Sequence, residues 1–402
     1  MDERTLMELC ETPDHHGSHR NLVPVLEDSA PGLIDAVIVP TVRHPLRLAA
    51  AKDLADVLGC TLVTLHSGKW TSANIAKSSR QDIKHIAIDI PDASSLRLID
   101  FETSQLMTGV FARRRDTSTK RNLGLLLAHL AKWHRIIFLD DDISIPCVAD
   151  FSRAAGLLGT YNAVGLSNGG FPDNSVVCHA YRLIGGKQES FIGGGALAVD
   201  TTLNRSFFPD VYNEDWFYLL DREKGLQPLA VTGSVSQQAY DPFREDRARL
   251  EEIGDVLAEG IFWLLDQGRM LDAANARHWQ EFLVRRKRFI EYILSQADLA
   301  DVDSLERARM VSALKASLGR LALMTPEWCE RYVLAWTADS IRWDRHIQGM
   351  HSSPSIEDAL RSLSRKGRRP LHYVVSDAVE MSMPRPVIRS GQRQFKADLV
   401  LT

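Results

Sequence analysis

Four apolar residues running straight into three aspartates constrain this chain more than any other feature: Ile136-Ile137-Phe138-Leu139, then Asp140-Asp141-Asp142. A short continuous apolar run of this kind is the pattern of a buried strand. The strand fixes the triplet's position, so three carboxylates emerge together at its carboxyl end. Like charges a few ångströms apart raise one another's pKa and oppose folding. A hard divalent cation with oxygen ligands, Mn2+ or Mg2+, relieves that conflict, and Mg2+ commonly shares its shell with substrate phosphates. The plainer alternative is a solvated acidic turn.

The flanking pattern places the triplet in an α/β fold. Residues 34–40, ending in Pro40, form an apolar run that predicts a first buried strand, and residues 46–58 carry helical spacing. Strands are expected at 61–65 and 85–90. A helix is expected over 118–133, with Leu123, Leu126, Leu127 and Leu130 on one face. Alternating strands and helices predict a sheet with helices on its faces, in which ligands bind beyond the carboxyl ends of strands. The aspartates fall there.

At 402 residues the chain exceeds one ordinary core, so a domain with a large appendage is expected. Residues 1–32, with Pro13, Pro24 and Pro31, read as an arm, and 33–242 as the α/β domain. Residues 243–365 read as a helical appendage, with helical periodicity over 253–265, 279–294, 305–321 and 326–341. Thr325-Pro326-Glu327 is a helix start. Trp328, Trp336 and Trp343 lie at helical spacing and read as core. Residues 366–402, with Pro370, Pro384 and Pro386, read as an irregular tail. A net charge of −4 gives no bulk attraction to nucleic acid or acidic membranes. Five scattered cysteines without a CxxC pair argue against a zinc site or a disulfide framework. The polar start and the lack of any apolar run near the ~20 residues that span a bilayer predict a soluble, cytoplasmic protein.

The loop before the 118–133 helix is basic, running from Arg113-Arg114-Arg115 to Lys120-Arg121-Asn122. Helix N-termini attract anions, so Lys120, Arg121 and Asn122 are candidates to hold a diphosphate. A solvated basic face is the alternative. The run Arg285-Arg286-Lys287-Arg288 reads as a solvated helix face.

Lys120-Arg121-Asn122-Leu123-Gly124, a helix, and then Ile136 to Asp142 resemble the centre of family 2 glycosyltransferases, where R-N-x-G precedes a helix, an apolar strand and a DXD-type motif. Val37-Ile38-Val39-Pro40-Thr41 followed by Arg43 is similar to that family's first strand and nucleotide-contacting loop. Phe191 to Ala196 resembles its glycine-rich acceptor strand, and Asn213-Glu214-Asp215-Trp216 its E-D motif. The resemblance covers residues 33–240. It implies a GT-A fold, a Rossmann-like mixed sheet here followed by a helical appendage, and transfer of one sugar from a nucleotide-diphosphate sugar to a small soluble acceptor.

Carried onto this sequence, the resemblance assigns Asp142 to the metal, with Asp140 sharing that role, and Asp140 or Asp141 to the ribose or the metal's water shell. Pro40, Thr41 and Arg43 would line the nucleotide, Gly194, Gly195 and Trp216 the acceptor. Asp215, beside Glu214, would be the base of an inverting reaction. Leu65-His66-Ser67-Gly68 stands where the family carries D-D-x-S, and the Q-x-x-R-W signature of processive synthases is absent. Leu219-Leu220-Asp221 and Glu252-Ile253-Gly254-Asp255 look distantly like retaining glucosyl-3-phosphoglycerate synthases, which would remove the base role. Their metal-binding histidine is replaced here by Gln237, Gln238, Tyr240 or Asp241. His278 could reach a metal or lie on a helix surface, and His179 is a candidate acceptor contact.

Two rivals remain from the sequence. Asp140, Asp142 and Ser144 fit loosely the nucleophile motif of haloacid-dehalogenase-type phosphatases, although strands precede this one. A catalytically silent glycosyltransferase-like protein would bind partners through its helical half. The appendage is expected to close the acceptor side or to form a dimer interface.

Overall fold

The structure, a computed structural model, describes residues 22–76, 83–113, 115–170, 175–186, 192–368 and 370–376. Arg114, Phe191, most of the N-terminal arm, and Pro384 and Pro386 of the tail lie outside the described residues.

Strand β1, Ala36–Thr41, runs parallel to β2, Thr61–His66, on one side and to β4, Arg135–Leu139, on the other. Strand β3, His85–Asp89, continues parallel beyond β2. Past β4 the direction changes: β7, Ala196–Asp200, is antiparallel to β4 and to β6, Ala163–Gly170. Strand β10, Leu229–Gln237, is parallel to β6, and two-residue β5, Ile143–Ser144, pairs antiparallel at its far edge. Strand β11, His372–Ser376, lies antiparallel on β3 and completes a nine-stranded mixed sheet in the order β11-β3-β2-β1-β4-β7-β6-β10-β5. A separate small ribbon pairs β8, Leu220–Asp221, with β9, Gly225–Leu226. The strand β11 corrects the expectation of an irregular stretch there. Its Tyr373-Val374-Val375 is too short beside the prolines to stand out, and only the free edge of β3 makes it a strand.

Side-chain alternation explains why the sheet is covered on both faces. Ala36 and Ile38 of β1 and Ile136 and Phe138 of β4 enter one core, while Val37, Val39, Ile137 and Leu139 enter the other. The second core is closed by α1, Ala49–Leu58, and α5, Ala149–Leu157. Two short helices, α2, Ala73–Ala76, and α3, Glu102–Leu106, lie in the connections around β3. The first core is closed by α4, Thr117–Ala131. A Cβ on Gly124 would lie 3.0 Å from Ile38 Cγ2, so glycine lets α4 sit close on β1. That closeness brings the first turns of α4 to the carboxyl end of the sheet.

Beyond α6, Val176–Leu183, and α7, Glu214–Tyr218, the chain forms a helical layer. It comprises α8, Glu245–Asp266; α9, Ala276–Ser295; α10, Ser304–Leu321; α11, Pro326–Gln348; and α12, Ile356–Ser362. The Thr325 hydroxyl caps α11 by accepting from the Trp328 N–H at 3.2 Å. Trp279, Ile290, Leu314, Tyr332, Trp336 and Trp343 share one contiguous core with Ile38 and Phe138 of the sheet. No helix among the described residues is long and apolar enough to cross a membrane.

Arg286 overturns the reading of residues 285–288 as a wholly solvated face. It is fully buried and faces three carboxylates of α8, donating to Glu252 at 2.8 and 3.0 Å, to Asp255 at 2.9 Å, and to Glu259 at 2.8 and 3.0 Å. Burial pushes the Glu252 carboxyl up to about 7, and pushes Asp255 and Glu259 up as well, against the opposing pull of Arg286. His278 is likewise buried rather than on a surface, its Nε2 bonded to Gly260 O at 2.9 Å.

Removing a buried ion's partner costs about 3–5 kcal/mol, so Arg286→Met should lower the urea midpoint sharply at about pH 8. The folded chain holds protons on these carboxyls that the unfolded chain releases, so their contribution is full below the ordinary carboxylate range and fades as pH rises through about 7. The penalty of Arg286→Met should therefore shrink at about pH 5.5, where the carboxyls neutralise themselves. Equal penalties at both pH values would show that the cluster stays ionised throughout.

Candidate active site

The triplet forms a tight turn from β4 into β5. Asp140 N donates to Gly195 O at 2.9 Å, and Ile143 N to Asp140 O at 3.3 Å. The three side chains part company there. Asp140 turns toward α4 and a cavity, whereas Asp141 and Asp142 turn toward the end of β1.

Arg121 organises the cavity side. Its buried guanidinium donates to Asp140 Oδ1 at 2.9 Å and to Glu214 Oε1 at 3.1 Å. Arg113 meets the other Glu214 oxygen at 3.1 Å and also donates to Val211 O. The chain enters α7 through Asn213 in the left-handed region (φ 60°), a conformation asparagine tolerates better than most residues. The Asn213 amide donates to Asp255 Oδ1 at 3.0 Å, which ties this corner to the Arg286 cluster. Asp215 Oδ2 accepts from Gly194 N at 2.6 Å, and its Oδ1 from Trp216 N at 3.0 Å.

These contacts separate the carboxyls by protonation. Burial, reinforced by the Glu214 charge and resisted by Arg121, pushes Asp215 up to about 6. Burial and the adjacent Asp142 and Asp141 push Asp140 up to about 7 despite Arg121. Burial also works against the Glu214 charge, but Arg113 and Arg121 outweigh it and hold that carboxyl below its ordinary value. Neighbouring carboxyls with opposed shifts are a recurring mark of acid–base sites. Asp140, Gly195, Glu214, Asp215 and Trp216 line a cavity of about 170 Å³ whose far end is bordered by Ser175, Cys178, Asp255 and Glu259.

Thr41 and Arg43 stand at the other side of the triplet. The Thr41 hydroxyl donates to Asp141 Oδ2 at 2.5 Å, and Arg43 forks between Asp141 and Asp142, reaching Asp142 Oδ2 at 3.0 Å. Pro40 is buried within β1, opposite Leu65. Lys120 and Asn122 do not present themselves to solvent. Lys120 Nζ donates to Thr41 O at 2.9 Å and Ser67 Oγ at 2.7 Å and pairs with Asp116 at 3.0 Å, so it fastens the ends of β1 and β2. Asn122 exchanges two 2.8 Å bonds with the backbone of Phe208. Gly194 is packed on Arg121, with an added Cβ falling 2.3 Å from Nη1, and Gly195 lies beside Asp140. Trp216 is buried edge-on to Phe262.

Among the described residues, no three histidine, cysteine or acidic side chains gather as metal ligands. The oxygen donors of the triplet suit a hard cation in kind, but Arg121 and Arg43 already engage them. The set therefore fits a cation that takes one or two carboxylates and completes its shell with substrate phosphate and water, rather than one caged by protein. Gln237 borders the cavity and accepts from Asn168 at 3.0 Å. Gln238 receives Arg47 on its side chain and gives its N–H to Asp142 O at 3.0 Å. His179 is buried against Tyr240, bonded at 2.9 Å, and burial pushes it down to about 3. In the stretch that replaces D-D-x-S, His66 is buried between Thr64 and Thr71, pushed down by burial to about 4.

Sequence reasoning missed Arg113 as a partner of Glu214, and missed Asp255 and Glu259 at the cavity. The signal for the latter pair was available: Glu252, Asp255 and Glu259 repeat at i, i+3, i+7 on one helix face, and such a stripe on a face that packs inward needs a buried cation.

No family model and no curated protein sequence matches the chain. Nineteen solved chains match in structure. One is the mannosyltransferase PcManGT from Pyrobaculum calidifontis, in complex with GDP-Man and Mn2+, 15% identical, covering 84% of this chain and 92% of that chain at a TM-score of 0.36. A likeness at that level carries no weight for the chemistry, which rests on the residues themselves.

Gly194→Ala places a methyl group in the space of the Arg121 guanidinium, and overpacking of this kind costs about 1–3 kcal/mol. In an Arg121→Ala background the same change should cost close to nothing. A double-mutant cycle read by urea denaturation checks this; additive costs would mean the methyl group meets something other than Arg121.

Proposed function

We propose that this chain is a glycosyltransferase of the GT-A type that moves one sugar from a nucleotide-diphosphate donor to a small soluble acceptor, with help from Mn2+ or Mg2+. The observation that carries the reading is the one cavity onto which Asp140 and the Glu214–Asp215 pair both open, joined through Arg121. Two motifs far apart in sequence meet there: a strand-end acidic turn suited to a cation-bound diphosphate, and a carboxyl pair suited to proton transfer.

In this reading the donor's nucleotide lies over the carboxyl ends of β1 and β2, near Thr41 and Arg43. Asp142 and Asp140 would hold the cation, which when bound neutralises charge on the departing nucleoside diphosphate. Arg121, expected from the sequence to bind the diphosphate, is here engaged by Asp140 and Glu214. It keeps Asp140 and Glu214 apart in charge and together in space. Asp215 accepts the acceptor hydroxyl's proton: burial pushes its carboxyl up to about 6, close enough to neutrality for a general base. Gly194 N–H and Trp216 N–H fix its orientation. Trp216 and Gly195 border the space for the acceptor. A base in this position would accompany inversion, whereas the retaining alternative would leave Asp215 without that role.

Thermal shift with UDP, GDP, ADP and TDP, with and without Mn2+, tests the donor. A ligand at ~100 times its Kd adds about 2.7 kcal/mol of stability. Stabilisation by one nucleotide that requires both Mn2+ and Asp142, judged with Asp142→Asn, is expected. No stabilisation by any diphosphate would remove the transferase reading in favour of phosphatase or silent-protein alternatives.

Once the donor is found, Asp215→Asn should lose roughly 10²–10⁴-fold in rate while nucleotide binding persists. The base must be ionised to work, so wild-type kcat/KM should rise with pH through about 6. A flat profile across that range would exclude Asp215 as the base.

A further inference from the structure

Arg43 occupies an unusual position for a residue that lines a nucleotide site. Its guanidinium is already committed, one nitrogen to Asp141 and the other to Asp142 at 3.0 Å, yet the side chain is 45% exposed. The two carboxylates are not equally dependent on it. Asp141 also accepts from the Thr41 hydroxyl at 2.5 Å, whereas Asp142 Oδ2 accepts from Arg43 at 3.0 Å. The backbone under Arg43 is held, since its N–H donates to Thr41 Oγ1 at 3.1 Å.

A divalent cation on Asp142 and the Arg43 guanidinium already paired with it are like charges a few ångströms apart, and they oppose each other. The repulsion favours loss of the Arg43 contact to Asp142, at a cost that falls if an anion besides Asp141 is within reach. A diphosphate arriving with the cation is such an anion, and guanidinium binds phosphate oxygens by the same two-pronged geometry it now offers the carboxylates.

We propose that Arg43 is an exchangeable counterion for Asp142: it holds the carboxylate while the donor site is empty, and turns to the diphosphate when a cation takes its place. This rests on the nucleotide-diphosphate reading given above. The exchange makes cation and nucleotide binding cooperative. The cation alone binds weakly because it costs Arg43 one of its two carboxylate partners, and nucleotide raises cation affinity by giving the guanidinium a replacement. Linkage requires the coupling to act equally in both directions.

The test is Mn2+ titration of the full chain, reading free Mn2+ by electron paramagnetic resonance, on wild type, Arg43→Gln, Arg43→Lys and Asp142→Asn. Each is titrated alone and with UDP, GDP, ADP or TDP. Arg43→Gln should bind Mn2+ alone about tenfold more tightly than wild type, within the usual range of coupling between sites. Nucleotide should then tighten Mn2+ binding less than it does in wild type. Arg43→Lys keeps a charge but cannot fork, and should fall between the two. If Arg43→Gln binds Mn2+ alone no better than wild type, while wild type takes up Mn2+ with nucleotide and Asp142→Asn does not, the exchange is wrong and the metal site stands. If no variant takes up Mn2+ with any diphosphate, the nucleotide-diphosphate reading itself falls.

Discussion

The site depends on one buried guanidinium. Arg121 must be charged to reconcile Asp140 with Glu214, and it stays charged under burial because both carboxylates face it. Everything near it is shaped to that demand. Gly194 makes room for it, α4 sits low on β1 so that it reaches the end of β4, and Arg113 takes the Glu214 oxygen that Arg121 does not use. A buried ion pair is not a strong source of stability in itself, since desolvation offsets most of the attraction. Its contribution here is geometric: it fixes the distance between a strand-end turn and a helix start that no backbone hydrogen bond connects.

A second buried guanidinium repeats the arrangement one layer out. Arg286 gathers three α8 carboxylates, and Asp255 in turn accepts from Asn213, the left-handed residue that starts α7. The orientation of Glu214 and Asp215 is thus set from two sides, by α4 from the sheet and by α8 and α9 from the helical layer. The helical layer is part of the site's support, because the same contiguous core runs from Phe138 to Trp279 and Trp336.

Much of the sheet was legible in the sequence because it is written in short, near-continuous apolar runs: β1, β2, β3 and β4 fall where those runs lie, and the aspartates fall at the end of β4. The acidic triplet and the Glu214–Asp215 pair stood out as candidates, and the structure lines one cavity with Asp140, Glu214 and Asp215. What their neighbours do was not. Lys120 and Asn122 look like anion ligands in a basic loop, but they are drawn inward to backbone carbonyls and Ser67 by the close seat of α4. Arg286 sits in a run of four basic residues, and only the three-dimensional position of α8 singles it out. Charge pattern reveals which residues are ionic; packing decides which of them face inward.

Strand β11 has a consequence for how the molecule is made. Its partner β3 is synthesised well before it: His372 and Asp89, which face each other across that pair, are 283 residues apart. At roughly 5–20 residues per second, the edge of β3 waits about 15 to 60 s on the ribosome before its neighbour exists. Through that interval the nascent sheet presents an unpaired rank of amides and carbonyls, the kind of edge that invites pairing with another chain. The synthesis of β11 therefore does more than extend the molecule: it covers the edge through which an unfinished copy would pair with another chain.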